Sequence, residues 1–182
     1  MTWSTDLPDA DRALTQQMAT RIPPGVARAL SAVEEVAESS KLWCGAAAAM
    51  AWRGGWRGRR AAAAGMVAMM VAQLVSNGLC KQLADRPRPP AECIPHDEVA
   101  DRPDSSSFPS GHTAAAVAFT AAVAPTWPAA GALCALPTAL LAVERVQSGA
   151  HYPSDVAAGA AIGLAGAWLT RRAPALFLRG WP

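Results

Sequence analysis

The chain alternates between long apolar segments and shorter polar ones. Residues 61 to 80 are apolar for about one bilayer thickness, which is roughly 20 residues. Shorter apolar segments cover residues 39 to 52, 112 to 124, 129 to 143 and 154 to 170. Gly159 and Gly163 have the GxxxG spacing that allows close contact between helices. The pattern predicts an all-α protein, built as an integral membrane bundle of about five to six helices.

Residues 1 to 38 differ from the rest because charged side chains and prolines separate their apolar positions. Between Val26 and Ala37 the apolar residues fall on one helical face. This predicts an amphipathic helix that lies on a surface or packs against the bundle. The early aspartates and the lack of an early apolar run do not fit a secretory signal peptide. We therefore expect an amphipathic segment (1–38), a membrane-embedded bundle (39–172) and a C-terminal tail (173–182).

Several of the apolar segments are short for membrane spans, so a soluble helical bundle is the alternative. Tryptophans and arginines favour the membrane, because they gather at one end of the expected helices. They are Trp52, Trp56, Trp127, Trp168 and Trp181, with Arg53, Arg57, Arg59, Arg60, Arg171 and Arg172. The positive-inside rule places that end in the cytoplasm. Lys81 and the loops 82 to 111 and 144 to 155 are then expected on the outer side of the plasma membrane.

The composition agrees with a multi-pass membrane protein and argues against some partners. Of the 182 residues, 52% are hydrophobic and 16% are charged, against about 25% charged in soluble domains. The formal net charge of +2 is too small to indicate nucleic acid binding. The four cysteines form no CxxC pair, so neither a zinc site nor a disulfide framework is expected. The oligomeric state does not follow from the sequence.

Three polar clusters lie at the outward end, each beside a helix terminus. The first runs from Lys81 to Pro89, where Pro87 and Pro89 hold Arg86 and Arg88 in an extended turn. Cations this close together favour an anion as their partner. Contact between a basic juxtamembrane loop and lipid headgroups is the alternative.

The second cluster covers residues 108 to 113, directly before an alanine-rich helix. Ser110 is expected to cap that helix. Gly111 allows an anion to approach the first backbone amides, which would form a phosphate-binding site. A capped helix start without any ligand is the alternative.

Arg145, His151 and Asp155 form the third cluster, between two apolar segments. Pro153 suits the first turn of a new helix, so we expect His151 in a tight loop and Asp155 in that first turn. There Asp155 could accept a hydrogen bond from the His151 ring and fix its tautomer. A histidine prepared in this way serves as nucleophile or base. An ordinary ion pair in a loop is the alternative.

Together the clusters supply three cations, two helix N-termini and two histidines. These groups are Lys81, Arg88, Arg145, His112 and His151. They can stabilise a transferring phosphoryl group, while one histidine attacks phosphorus and the other protonates the leaving oxygen. The carboxylate cluster that a two-metal phosphatase needs is missing from the sequence. A single metal on His112, His151 and Asp155 is the alternative; otherwise no cofactor is expected.

These residues resemble the three motifs of the type 2 phosphatidic acid phosphatase family, which shares its core with vanadium haloperoxidases. The first motif, Lys, six residues and Arg-Pro, matches Lys81 to Arg88-Pro89. The second, Pro-Ser-Gly-His, matches Pro109 to His112. The third is Ser-Arg, five residues, His, three residues and Asp. It matches Arg145, His151 and Asp155, with Glu144 in place of the serine.

The resemblance implies a metal-independent phosphatase in a helical membrane bundle. His151 is implied as the nucleophile that forms a phosphohistidine, with Asp155 as its orienting partner. His112 is implied as the general acid and later the base. The implied phosphate-binding residues are Lys81, Arg88, Ser110, Gly111 and Arg145. Glu144 departs from the family and would repel the phosphate unless it turns away or pairs with Arg86 or Arg88.

The resemblance also implies a lipid phosphate as substrate. The small size and arginine-rich composition look similar to family members that act on polyprenyl-linked phosphates, such as decaprenylphosphoryl-5-phosphoribose in cell-wall arabinan synthesis. Phosphatidic acid, phosphatidylglycerol phosphate and undecaprenyl pyrophosphate are rival substrates. Rival functions are a vanadium haloperoxidase, a non-catalytic lipid-phosphate-binding protein and a transporter. A transporter would need polar groups at mid-membrane, where Gln73 is the main one.

Overall fold

The computed structural model of the chain describes residues 6–37, 40–94 and 105–179. Within these ranges every regular secondary-structure element is a helix. The long helices are α1 (Asp6–Arg21), α2 (Pro24–Ala37), α3 (Lys41–Arg53), α4 (Gly55–Gln73), α5 (Gly111–Val123), α6 (Pro128–Gln147) and α7 (Pro153–Arg179). Helix α4 continues through a π-helical segment, Leu74–Cys80, into a last turn, Lys81–Leu83. A short 3₁₀ helix covers Ala91–Cys93. The expectation of an all-α protein is confirmed.

Helix α5 is the centre of the bundle and packs against α4, α6 and α7. Its small side chains let these neighbours approach closely, and Ala114 and Phe119 are fully buried. A Cβ added to Gly159 of α7 would overlap the Ser110 carbonyl, and one at Gly163 would lie 2.6 Å from the Ala114 carbonyl. The GxxxG pair therefore makes the close helix contact that its spacing predicts. This contact holds the start of α7 against the start of α5.

Two helices in the described part of the chain are long and apolar enough to cross a membrane, by length and composition. They are Gly55–Leu83 and Pro128–Gln147, and α5 is a shorter apolar helix. Their outer faces are also apolar: Leu74 is 71% exposed and Leu133 is 78% exposed. Exposed apolar surface of this kind is typical of a protein that contacts lipid. The helices thus fit the expected membrane bundle.

The helices run in alternating directions, and different side chains gather at the two ends of the bundle. At one end, Arg57 Nε donates a hydrogen bond to the Thr126 carbonyl at 2.7 Å. Trp52 and Trp56 are exposed there, beside the start of α4. The predicted gathering of tryptophan and arginine at one end is found for the described residues, whereas Trp181 lies outside them. The last turn of α4, the start of α5, the end of α6 and the start of α7 meet at the other end.

The structure differs from expectation at both ends of the chain. The amphipathic helix expected from Val26 to Ala37 is present as α2, but α1 precedes it and was not predicted. Both helices pack against α6, and α1 also contacts α7. The bundle itself has five long helices, α3 to α7, in agreement with the five to six expected, and α1 and α2 bring the number in the described residues to seven. Helix α7 continues to Arg179, past residue 173 where the tail is expected to begin; the segment boundaries stay predictions.

Candidate active site

The three polar clusters meet at one end of the bundle. Lys81 lies in the last turn of α4, Arg88 in the following loop and His112 in the first turn of α5. Lys81 Nζ and Arg88 Nη2 contact the same hydroxyl, Ser105 Oγ, at 3.4 and 3.3 Å. Arg145 Nη1 from α6 lies 3.5 Å from His112 Nδ1. The sequence motifs, although up to about 70 residues apart, thus form one cationic site around two histidines.

His151 is 2% exposed, and its ring has a fixed hydrogen-bond partner. Its Nδ1 lies 2.6 Å from the carbonyl oxygen of Ser107. A carbonyl can only accept, so Nδ1 carries the proton and the lone pair of the neutral ring is on Nε2. Burial lowers the pKa of His151 well below 6.5, and the charges of Arg88 and Arg145 lower it further. The ring is therefore neutral in the free protein, with Nε2 as the available nucleophilic atom.

Asp155 does not make the expected hydrogen bond to His151. Its Oδ2 is 4.0 Å from His151 Nδ1 and accepts instead from the Tyr152 amide at 2.9 Å. Pro153 is the first residue of α7, as predicted, so this contact is the reciprocal half of a helix capping box. The Ser107 carbonyl occupies the place at the ring that the sequence assigned to Asp155. Asp155 thus holds the His151 loop in place indirectly, through its hydrogen bond with the Tyr152 amide at the start of α7.

Arg86 connects Asp155 to the N-terminal helix. Its Nη1 lies 2.5 Å from Asp155 Oδ1, and its Nη2 lies 2.6 Å from Asp11 Oδ2 of α1. Its guanidinium also stacks on the Tyr152 ring, 4.3 Å from the centroid. Asp11 further accepts a hydrogen bond from the Ser154 amide at 3.1 Å. Burial opposes the charge of Arg86, but the hydrogen bond to Asp11 and the charge of Asp155 outweigh it and raise its pKa.

Arg145 is held between two carboxylates. Its Nε lies 2.7 Å from Glu144 Oε2, and its Nη2 lies 3.1 Å from Glu34 Oε1 of α2. Glu144 thus has a cation partner, and this partner is its neighbour Arg145, where the sequence had suggested Arg86 or Arg88. A guanidinium only donates, so its long contact with His112 favours the tautomer in which Nδ1 accepts. That tautomer places the proton of His112 on Nε2.

Ser110 and Gly111 form the start of α5. Ser110 is fully buried, and its Oγ accepts from the Thr113 amide at 3.4 Å, which confirms the predicted helix cap. A Cβ on Gly111 would overlap Oδ1 of Asn77, from the π-helical segment of α4. Gly111 therefore allows the start of α5 to lie directly against α4. Because the first amides of a helix have no partner in the preceding turn, this end is suited to an anion.

The metal alternative finds no donor set in the part of the chain that the structure describes. No three His, Cys, Asp or Glu side chains in residues 6–37, 40–94 and 105–179 converge as metal ligands. His112, His151 and Asp155, the set considered from the sequence, are not such a group. The ring nitrogen Nδ1 of His151 contacts a backbone carbonyl.

Four residues in or beside this site were missed in the sequence. Asp11 and Glu34 come from helices outside the motifs, and Ser107 acts through its backbone, which no residue pattern reveals. Asn77 had a detectable signal. It lies midway between Gln73 and Lys81, so three polar residues recur every four positions at the end of a long apolar segment.

Two curated relatives are similar to part of the chain. The chain is 42% identical over 89 residues to a lipid A 1-phosphatase from Rhizobium johnstonii. The matched region covers 42% of this chain and 34% of the relative. The chain is also 41% identical over 88 residues to the decaprenylphosphoryl-5-phosphoribose phosphatase of Mycobacterium tuberculosis. That match covers 47% of this chain and 46% of the relative. The chain therefore aligns with less than half the length of these relatives.

The fold is similar to that of a transmembrane PAP2 type phosphatidylglycerolphosphate phosphatase from Bacillus subtilis. The TM-score is 0.72 at 20% identity, and the match covers 96% of this chain and 89% of that chain. At this identity the likeness concerns the fold alone. The model of the PAP2 superfamily matches residues 62–178, which include all three motifs and most of the bundle. This chain therefore belongs to the PAP2 superfamily.

Proposed function

We propose that the protein is a membrane lipid phosphatase that hydrolyses a phosphomonoester through a phosphohistidine on His151. The observation that carries this proposal is the 2.6 Å contact between His151 Nδ1 and the Ser107 carbonyl. It leaves the Nε2 lone pair free at a site where Lys81, Arg88 and Arg145 act electrostatically on the same ring. A neutral nucleophile among fixed cations is what attack on a phosphate dianion requires.

In the first step, His151 Nε2 attacks phosphorus, and the bond from phosphorus to the leaving oxygen breaks with its electrons on that oxygen. The bound dianion favours protonated His112, which gives its Nε2 proton to the leaving oxygen. In the second step, neutral His112 takes a proton from water while the water oxygen attacks phosphorus. The phosphorus–nitrogen bond breaks, its electrons return to His151, and inorganic phosphate leaves.

The remaining residues bind the phosphate or position the nucleophile. Lys81, Arg88 and Arg145 neutralise the phosphoryl oxygens, whose charge is spread over all three in the transition state. Ser110 and Gly111 contribute the capped N-terminus of α5. Asp155 is a positioning residue, because it acts on the His151 loop through Tyr152 and Arg86. No metal ion enters these steps.

For the substrate we propose a polyprenyl-linked phosphate, of which decaprenylphosphoryl-5-phosphoribose is the leading example. The relative from Mycobacterium tuberculosis supports this choice, because its alignment covers more of both chains than that of the lipid A 1-phosphatase. Phosphatidylglycerol phosphate, lipid A, phosphatidic acid and undecaprenyl pyrophosphate are the competing substrates. The tryptophan and arginine end supports a multi-pass protein of the plasma membrane with the site on the outer side.

The test is phosphate release by the detergent-purified protein from a panel of these lipids, with EDTA present. Wild type should release phosphate and form an acid-labile phosphoenzyme, and His151→Ala should do neither. Leu164→Ala is the matched control, because Leu164 lies on α7 with its side chain 56% exposed on the outer face. Phosphate release by His151→Ala at the wild-type rate would contradict the proposal. So would activity that EDTA abolishes and a divalent ion restores.

A further inference from the structure

A cavity of about 310 Å³ opens directly beside His112. Its lining includes Lys81, Gly111 and His112, which belong to the phosphate site. It also includes Ser40, Gln73 and Asn77, which the mechanism does not use. The cavity is therefore continuous with the phosphate site but has polar groups of its own.

Two polar side chains of this cavity, those of Gln73 and Asn77, come from the apolar second half of α4. Gln73, Asn77 and Lys81 are spaced four residues apart, and Asn77 lies within the π-helical segment Leu74–Cys80. Polar groups in a membrane helix are costly unless they face a functional cavity, and π-helical segments are frequent at functional sites. Asn77 is exposed in the cavity and lies against Gly111 at the start of α5. Its amide can therefore bond to a ligand that occupies the adjacent phosphate site.

The third polar group of the cavity is held in a strained backbone conformation. Ser40 has φ 63°, a left-handed conformation that residues other than glycine seldom adopt. Its Oγ accepts a hydrogen bond from Gln73 Nε2 at 3.1 Å, which links the residue preceding α3 to α4. Strain of this kind persists where the surrounding structure enforces it, and it is concentrated at binding sites. The hydroxyl of Ser40 and the carbonyl of the Gln73 amide remain able to bond to a ligand.

We propose that this cavity binds a hydroxyl-bearing leaving group, and that Ser40, Gln73 and Asn77 select for its hydroxyls. The inference rests on the proposed function. His112 protonates the leaving oxygen, so the group attached to that oxygen must lie beside His112, where the cavity is. A sugar or glycerol hydroxyl would bond to the amides of Gln73 and Asn77. A leaving group without hydroxyls would displace water from those amides without replacing its hydrogen bonds, which disfavours binding.

The experiment compares two lipids that differ at this position. Phosphatidylglycerol phosphate has a free hydroxyl beside its phosphate ester, whereas phosphatidic acid has acyl esters only. The ratio of their kcat/KM values should fall roughly tenfold or more in Asn77→Leu and in Gln73→Leu, since a site built for a hydroxyl loses that discrimination. Leu79→Ala is the control, because Leu79 lies in the same π-helical segment and is 55% exposed outside the cavity. The ratio should not change in it.

A general loss of structure would lower both kcat/KM values together, so the ratio separates selectivity from stability. Ser40→Ala is a third variant, at a residue outside α4. It should lower the same ratio, and it keeps the test possible if an α4 variant fails to fold. An unchanged ratio in all three variants, with phosphate release still dependent on His151, overturns the subsite and leaves the phosphatase proposal in place. If the wild-type protein releases phosphate from the polyprenyl-linked lipid but from neither of these two, the three variants should lower kcat/KM for that lipid while Leu79→Ala should not. Absence of release from every lipid of the panel overturns both proposals.

Discussion

Asp11 and Arg86 are 75 residues apart in the chain, and their side chains meet at 2.6 Å beside the active site. Asp11 is 3% exposed and is also bonded to the backbone amide of Ser154, which is 143 positions away. Through Arg86 it is connected to Asp155 and hence to the start of α7. The N-terminal helix α1 therefore supports the loop that carries His151, although it lies outside the residues matched by the PAP2 superfamily model.

Asp11→Asn should destabilise the protein and slow it. The substitution removes the carboxylate from a mostly buried ion pair, which costs roughly 2 to 4 kcal/mol of unfolding free energy. Displacement of Arg86 and Asp155 should also lower kcat/KM by roughly 10- to 100-fold, because catalysis depends on position within about 1 Å. Thermal unfolding in detergent and phosphate release measure the two effects.

Asp9→Asn is the matched control for Asp11→Asn. It removes the same charge from the same helix at an exposed position. If the two variants unfold at the same temperature and have the same activity, the contact between Asp11 and Arg86 has no supporting role.

Glu34→Gln should strengthen phosphate binding. In the free protein the carboxylate of Glu34 lies 3.1 Å from Arg145 Nη2, so it competes for a cation that the substrate needs. The pair is partly exposed, with Glu34 at 26%, so its removal is expected to be worth up to about 1 kcal/mol, or roughly fivefold in affinity. The inhibition constant of inorganic phosphate should fall by that factor. Glu35→Gln, an exposed neighbour on α2, should leave it unchanged, and a weaker inhibition in Glu34→Gln would contradict the competition.

The sequence was sufficient to predict the residues at the centre of the site but not those that support them. The prediction that the three motifs meet at one end of the bundle was correct. Each motif lies at a helix terminus, and consecutive helices alternate in direction. The residues brought together are Lys81, Arg88, His112, Arg145 and His151. Helix α1 was missed for a physical reason. Its buried positions include Asp11, Thr15 and Ala19, a stripe with the correct four-residue spacing but with two polar members. Apolar periodicity cannot detect a helix that is buried through hydrogen bonds and an ion pair.

The partner of His151 could not be predicted for a related reason. Asp155 has the carboxylate nearest to the histidine in the sequence, four residues away. The acceptor that reaches Nδ1 is the carbonyl of Ser107, which is 44 residues away. Every residue has such a carbonyl, so only the path of the backbone determines which one reaches the ring.

The contact with Ser107 predicts the tautomer of His151, and the burial of the ring predicts its titration. Nitrogen NMR of ring-labelled protein should show a neutral ring protonated at Nδ1, with His151→Ala used to assign its signals. Burial and the charges of Arg88 and Arg145 lower its pKa well below 6.5, so the signal should stay neutral as the pH falls through 6.5. Since the unfolded chain binds a proton near pH 6.5 and folded His151 does not, its stabilisation is complete above that pH and is lost as the pH falls further. A ring that titrates near pH 6.5, or that is protonated at Nε2 when neutral, would contradict the assignment of Nε2 as nucleophile.

Glu144 is where this chain departs from the serine of its family, and the structure explains how a carboxylate fits beside a phosphate site. Glu144 is 2% exposed, and its Oε2 lies 2.7 Å from Arg145 Nε, while the Nη1 edge of the same guanidinium is directed at His112. The carboxylate thus neutralises part of the charge of Arg145 from the side that does not face His112. Removing it should expose more of that charge to the phosphate and leave a small void in its place.

Glu144→Ser should therefore bind inorganic phosphate more tightly and unfold more easily. Glu34 and Glu144 act on one guanidinium, so their effects are coupled, and the double variant Glu34→Gln with Glu144→Ser should depart from the sum of the two single changes. Inhibition constants for phosphate in the four proteins of this cycle give the coupling, and unfolding temperatures report the stability. Glu144→Gln separates charge from volume, because it removes the charge and keeps the side chain's size. If Glu144→Ser and Glu144→Gln both weaken phosphate binding, the carboxylate orients Arg145 toward the substrate instead of competing with it.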